Sequence, residues 1–313
     1  MSDITVLMPV YNGASYLGDA IESILAQTEA GFEFIIIDDG SADASVAIAD
    51  SYSRKDPRIR LVRDGMNRGI AARLNEGLAL ASGEYIARMD QDDVSLPGRF
   101  AAQRSHLDAN PDTALVGSRV IVIDPDGDEL MEMGDALSHA EIDGGLMRGA
   151  GQLVYHPSVM FRRQAALAIG GYDATYRGVE DLDFFLRLAE RGRIENLAQP
   201  LLKYREHLNK AGATRLLDQE REIDAAIAAA RVRRGMTGAQ GATERKRRTP
   251  VSKAATFRKW GWWALEGGRQ RTALKHALRS LAHDPFHHET ARLFYCALRD
   301  SARPAALAAE RKA

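Results

Sequence analysis

Short apolar runs alternate along the chain with longer segments whose apolar residues recur at helical spacing. Ile4-Thr5-Val6-Leu7-Met8-Pro9-Val10 is a β-rich run that Pro9 should end or place at a sheet margin. Leu17, Ala20, Ile21, Ile24 and Leu25 then predict a helix. Phe34-Ile35-Ile36-Ile37 is apolar without alternation, as in a strand covered on both faces. A helix through Val46, Ile48 and Ala49 follows, then a strand at Ile59-Arg60-Leu61-Val62 and a helix through Ala72, Leu74, Leu78 and Leu80. Tyr85-Ile86-Ala87 is a fourth, short strand. Strands alternating with helices imply right-handed βαβ units, hence an α/β fold with a mainly parallel sheet.

The pattern continues with a helix over 97–109, for which Ser95 is the expected cap, and a strand over 114–123 closed by Asp124-Pro125-Asp126-Gly127. Residues 138–148 read as a helix, 154–161 as an extended segment split at Pro157, 180–191 as a helix, 201–205 as a last strand and 216–234 as an Ala-rich helix. Glycines, Pro250 and Arg245-Lys246-Arg247-Arg248 mark 235–250 as a flexible linker. Three helices are expected beyond it, at 257–265, 271–282 and 289–298. The expected division is a domain over 1–234, a linker over 235–250 and a small helical domain over 251–313.

The fourth strand runs from Gly83 into Asp90, Asp92 and Asp93. Carboxylates at the carboxyl end of a strand in an open α/β sheet lie where such sheets bind ligands. Three acids this close repel one another unless a cation neutralises them, and a hard divalent ion, Mg²⁺ or Mn²⁺, suits oxygen ligands. A solvated acidic turn is the other reading of the same residues.

Composition narrows the class. The chain has 313 residues, with 45% hydrophobic and 27% charged residues, as in ordinary globular proteins. Cys296 is the only cysteine, so no internal disulfide can form, which suits a reducing cytoplasm. The opening Met1-Ser2-Asp3 has no basic segment, so no signal peptide is expected, and no apolar run approaches the roughly 20 residues of a membrane span. Charge is unevenly spread. Residues 235–313 hold 16 Lys and Arg against 6 Asp and Glu, leaving 26 against 37 in residues 1–234. Within the basic part, Phe257, Trp260, Trp262 and Trp263 adjoin Arg258 and Lys259. Such a cluster suits peripheral contact with an anionic membrane face, or a helical core with its aromatics turned inward.

Several stretches, taken in order, resemble the inverting family 2 glycosyltransferases of GT-A fold. They are Thr5–Asn12, Ile35–Ser41, Asn67–Gly69 with Arg73-Leu74-Asn75, Tyr85–Asp93 with Pro97-Gly98-Arg99-Phe100, His156-Pro157-Ser158, Gly171-Tyr172, Glu180-Asp181, and Tyr204-Arg205-Glu206-His207. They span residues 4–207. The resemblance implies an enzyme that moves a sugar from a nucleotide-sugar, UDP-linked by expectation, to a hydroxyl of a glycan, lipid-linked or cell-surface acceptor. Mn²⁺ or Mg²⁺ would sit on the diphosphate.

It also implies roles. Pro9, Val10, Tyr11 and Asn12 would lie against the nucleotide base, and Asp39 would accept from uracil or ribose. Either Asp38 or Asp39 could instead cap the following helix. Arg68 and Arg73 are candidates for the base or diphosphate, because guanidinium matches phosphate geometry. Asp90, with Gln91 beside it, would reach the ribose or donor sugar. Asp92 would be the principal metal ligand, with Asp93 and His207 as further candidates. Glu180-Asp181 would carry the catalytic base, Asp181 before Glu180, although acids in a first helical turn are also expected from the helix dipole alone. A nucleotidyltransferase would show a Gly-rich basic loop after the first strand, and Pro9-Val10-Tyr11-Asn12-Gly13 is not one. A non-catalytic nucleotide-sugar-binding regulator is the alternative from another class.

Overall fold

The computed structural model describes residues 3–150, 152–208, 216–236 and 252–300. They fall into two compact units. The first takes its residues from Met1–Val120, Gly134–Tyr204 and Arg215–Arg247, the second from Ile121–Met133, Arg205–Thr214 and Arg248–Ala313.

Four βαβ-linked strands open the chain: β1 (Ile4–Val10), β2 (Phe32–Asp38), β3 (Ile59–Val62) and β4 (Tyr85–Arg88). Helices α1 (Leu17–Leu25), α2 (Ser45–Ser53) and α3 (Ile70–Leu80) connect them. The pairs β1–β2, β1–β4 and β2–β3 are parallel. Next come β5 (Val94–Ser95), α4 (Arg99–Ala109), β6 (Thr113–Ile123), β7 (Glu129–Met133), α5 (His139–Leu146), β8 (Met160–Arg162) and α6 (Arg163–Ala168). They are followed by α7 (Glu180–Ala189), β9 (Arg193–Arg205), α8 (Leu216–Arg233), α9 (Lys253–Glu266), α10 (Gln270–His283) and α11 (His288–Asp300). The sheet order is β3-β2-β1-β4-β8-β6-β9-β5, with β7 paired to β6.

The parallel half matches the expected architecture. The other half is mixed, because β8 runs antiparallel to β4 and to β6, and β5 antiparallel to β9. β2 is buried at six of its seven positions, which is why its sequence shows no alternation. Leu7, Ile35, Ile37, Leu74, Leu78, Ile86, Phe161 and Phe184 belong to the core of this unit. The cap differs from expectation: Gly98 precedes α4, while Ser95 lies in β5 and donates its N–H to Ser23 Oγ (3.0 Å).

In the second unit, α9, α10 and α11 surround a small core containing Phe257, Trp260, Ala264, Ala277 and Leu293. The acidic turn after β6 belongs to the same unit. Its buried Asp124 meets His276 Nε2 at 2.9 Å and the Lys275 ammonium, while Asp126 meets Arg279 at 2.8 Å. The Lys275 ammonium also meets Asp128, so this cluster of three aspartates is neutralised by the protein's own cations. Trp262 and Trp263 are half-buried, lying against Arg292 and Lys259. The aromatic cluster is therefore largely engaged in packing. Of the expected linker, only Gly235 and Met236 lie within the described residues.

Candidate functional site

The loop after β1 is held in place by polar side chains from two neighbouring strand ends. Gln91 donates to the Tyr11 carbonyl (3.0 Å) and accepts from the Tyr11 N–H (2.8 Å). Gly13 permits this, since a Cβ there would lie 2.3 Å from the Gln91 side chain. Asn12 has a φ of 50°, a left-handed conformation in which Asn is tolerated. Its N–H donates to Ser41 Oγ (3.0 Å) and its Oδ1 accepts from the Ala42 N–H (2.8 Å). Val10 is buried and Pro9 half-buried, so of the predicted base-contact residues Tyr11 offers the open ring, at 49% exposure.

Asp38 and Asp39 divide their work. Asp38 turns back on its own loop and accepts from the Gly40 and Ser41 N–H groups. Asp39 accepts from the Arg68 and Gly69 N–H groups and from Arg73 Nε, at 2.7, 3.0 and 2.9 Å. Arg73 is fully buried, and its remaining N–H groups go to Asp64, Glu76 and the Met66 carbonyl. None is left for a diphosphate, contrary to the direct contact expected for it; Arg73 orients Asp39 and the loop before α3. Arg68 keeps an exposed guanidinium, ion-paired with Asp64 at 2.6 Å.

At the end of β4 the three acids converge, each offering an oxygen within 4.8 Å of the others. Asp90 and Asp92 are partly exposed and Asp93 is fully buried. Three hard oxygen donors this close fit a divalent cation. His207 lies past β9, in the second unit. Arg88, 2% exposed, places Nη1 2.5 Å from Asp90 Oδ1. Arg99 is also buried. It donates to the Arg88 and Val159 carbonyls and to Gln103, and burial with the Arg88 charge pulls its affinity for a proton down to a pKa of about 9.

Glu180 and Asp181 open α7. The helix is fixed from behind. Arg187 reaches back to Asp183 and to the Ile169 and Gly171 carbonyls, Asn75 brackets Tyr172 with two backbone hydrogen bonds, and Tyr172 stacks on Phe184. Tyr172 Oη meets His156 Nε2 at 2.8 Å, and burial followed by the Arg88 charge holds that imidazole well below its ordinary pKa, hence neutral. Glu180 is buried, and its Oε2 has no hydrogen-bond partner among the described residues. Burial first, and the Asp181 charge second, push Glu180 up to about 7. Burial also raises Asp181, which remains partly exposed and accepts from the Leu182 N–H at 2.8 Å. Arg88 lowers both members of the pair.

The sequence pattern alone gives no role to Arg88 or Arg99. A charged residue in an otherwise apolar strand, two positions before an acidic cluster, was the available signal for the first.

Residues 5–168 match the family model described as Glycosyl transferase family 2. EpsE of Bacillus subtilis is 35% identical over 207 residues, covering 65% of this chain and 73% of its own length. The O-antigen biosynthesis glycosyltransferase WbnJ of Escherichia coli is 32% identical over 208 residues, covering 65% of this chain and 80% of that one. S. aureus TarS in complex with UDP-GlcNAc superposes with a TM-score of 0.60 at 15% identity, over 96% of this chain and 80% of that one. The mannosyltransferase PcManGT from Pyrobaculum calidifontis in complex with GDP-Man and Mn²⁺ gives 0.53 at 19% identity, over 96% and 81%. These two likenesses concern the fold.

Proposed function

Because the chain belongs to glycosyl transferase family 2, we propose that it moves a sugar from a nucleotide-sugar to a hydroxyl of a polysaccharide or lipid-linked glycan, with inversion at the anomeric carbon. It is a glycosyltransferase of GT-A fold. UDP is the nucleotide we favour, and TarS with its UDP-GlcNAc supports that choice. The name of WbnJ supports a role in polysaccharide assembly.

One observation carries the mechanism. The buried guanidinium of Arg88 ion-pairs with Asp90 after β4, and the same charge lowers the pKa of both carboxyls of the α7 pair. Asp181 is the partly exposed member of the pair, so we assign it the base. It takes the proton of the acceptor hydroxyl as that oxygen attacks the anomeric carbon, in a single displacement that inverts configuration. Glu180, pushed up to about 7, holds a proton below that pH and there keeps the pair from carrying two charges side by side. Tyr11 offers its ring to the base, Asp39 the remaining capacity of its carboxylate, and Asp90 its outer oxygen to the ribose or donor sugar.

Asp92, with Asp93 behind it, would hold Mn²⁺ or Mg²⁺. The Mn²⁺ of PcManGT supports this reading. A bound divalent ion would neutralise charge developing on the departing nucleotide diphosphate.

A panel of UDP- and GDP-sugars with Mn²⁺, scored by calorimetry and by donor turnover, tests the reading. Binding with turnover supports it. Binding with no turnover of any donor, with or without glycan acceptors, would favour the non-catalytic regulator.

A further inference from the structure

We propose that Arg88 is a positioning residue for the transfer reaction, a buried guanidinium that fixes Asp90 toward the donor. The proposal rests on the glycosyltransferase reading above.

A guanidinium at 2% exposure in a strand is costly unless fixed charges compensate it. The groups whose charge interacts with that of Arg88 include Asp90 and Asp93 from the loop after β4, Glu180 and Asp181 from α7, Arg99 from α4, His156 from the turn before β8, and Tyr172; of these, Asp90 is in direct contact with it. Every anion in that set belongs to the candidate site. The other buried arginines differ. Arg73 answers acids that anchor loops, and Arg99 spends its N–H groups on backbone carbonyls and Gln103.

The backbone of Arg88 is tied on both sides: its N–H donates to the Val159 carbonyl (3.0 Å) and its own carbonyl accepts from Arg99 Nη2 (2.7 Å). The side chain therefore leaves a fixed point. It takes one oxygen of Asp90, whose side chain stays 27% exposed, which leaves the other oxygen to a ligand hydroxyl. A lysine could keep the charge but would carry it on a flexible stem rather than at the fixed place of the guanidinium beside Asp90.

The test compares wild type, Arg88→Met and Arg88→Lys in the full chain. With the donor that wild type turns over and Mn²⁺, Arg88→Met should lose roughly 10²-fold or more in kcat while donor KM changes little, and Arg88→Lys should recover part of the loss. Wild-type kcat in Arg88→Met, or a lysine variant no better than methionine, overturns the proposal. If Arg88→Met does not fold, Arg88→Lys decides alone: reduced kcat at near-constant KM supports positioning, and unchanged kcat overturns it. A substrate-free arm follows thermal midpoints in EDTA between about pH 5 and pH 8. Without Arg88, ionisation of Glu180 and Asp181 goes uncompensated, so the deficit should widen as pH rises. A deficit that stays flat means that Arg88 only fills space. Should wild type turn over no donor at all, the glycosyltransferase reading fails, and the substrate-free arm still decides for or against Arg88.

Discussion

Replacing Glu180 with Gln should make the protein more stable, increasingly so as pH rises. The Glu180 carboxyl is buried, has an oxygen without a hydrogen-bond partner among the described residues, and faces the Asp181 charge. Its pKa therefore rises from 4.5 to about 7 on folding. A folded-state pKa raised in this way favours the native state while the group is protonated. That contribution is complete below the unfolded value and is lost as pH climbs through the folded one. At 1.36 kcal/mol for each tenfold change in proton affinity, ionisation costs wild type under about 1 kcal/mol at pH 5, about 2 at pH 6 and about 3 at pH 8. Gln cannot ionise and escapes this cost. Urea unfolding of both proteins in EDTA, at those three pH values, should show a stability gap in favour of Glu180→Gln that grows with pH. A gap that is flat, or that shrinks with rising pH, would refute the reasoning, because Glu180 would then ionise in the native state as easily as in the unfolded chain.

Other outcomes follow from the same structure. Asp92→Asn should weaken UDP binding in the presence of Mn²⁺ but leave metal-free binding unchanged; calorimetry with equal affinities in Mn²⁺ for the variant and wild type would remove Asp92 from the metal role. Arg73→Met should cost about 3 kcal/mol of stability, since it leaves the buried Asp39 carboxylate without its guanidinium. An unchanged urea midpoint would show that the two backbone N–H groups suffice for Asp39. Lys275→Met should cost about 2 kcal/mol near neutral pH, because Lys275 neutralises buried Asp124, and should cost less in acid. Asp124 is held below its ordinary pKa in the folded state, so its contribution is present above the usual carboxylate range and lost as pH falls. A loss for Lys275→Met that is equal at about pH 3 and pH 7 would contradict this pairing.

The parallel half of the sheet was legible because each strand there is a compact apolar run between helices with 3.6-residue periodicity. The mixed half was less so. β9 begins eight residues before its apolar stretch, at Arg193-Ile194-Glu195-Asn196, and takes those residues into the sheet only because tertiary neighbours are present. The acids of the site were visible as residue types at strand and helix ends. Their division of labour was not, because the partners of Asp39 lie 29 to 34 residues away. Arg73 shows the same limit: a guanidinium free to meet phosphate and one locked among carboxylates have the same sequence neighbours. Near Trp260 the sequence left two readings open. The three C-terminal helices need a core, and Phe257 and Trp260 supply it.

The assignment of the base to Asp181 is tested most directly by measuring donor binding and turnover together in Asp181→Asn. The account predicts nucleotide-sugar affinity close to wild type and turnover reduced by roughly 10²–10⁴-fold, with Glu180→Gln losing less. Wild-type turnover in Asp181→Asn, or a larger loss in Glu180→Gln, would contradict it.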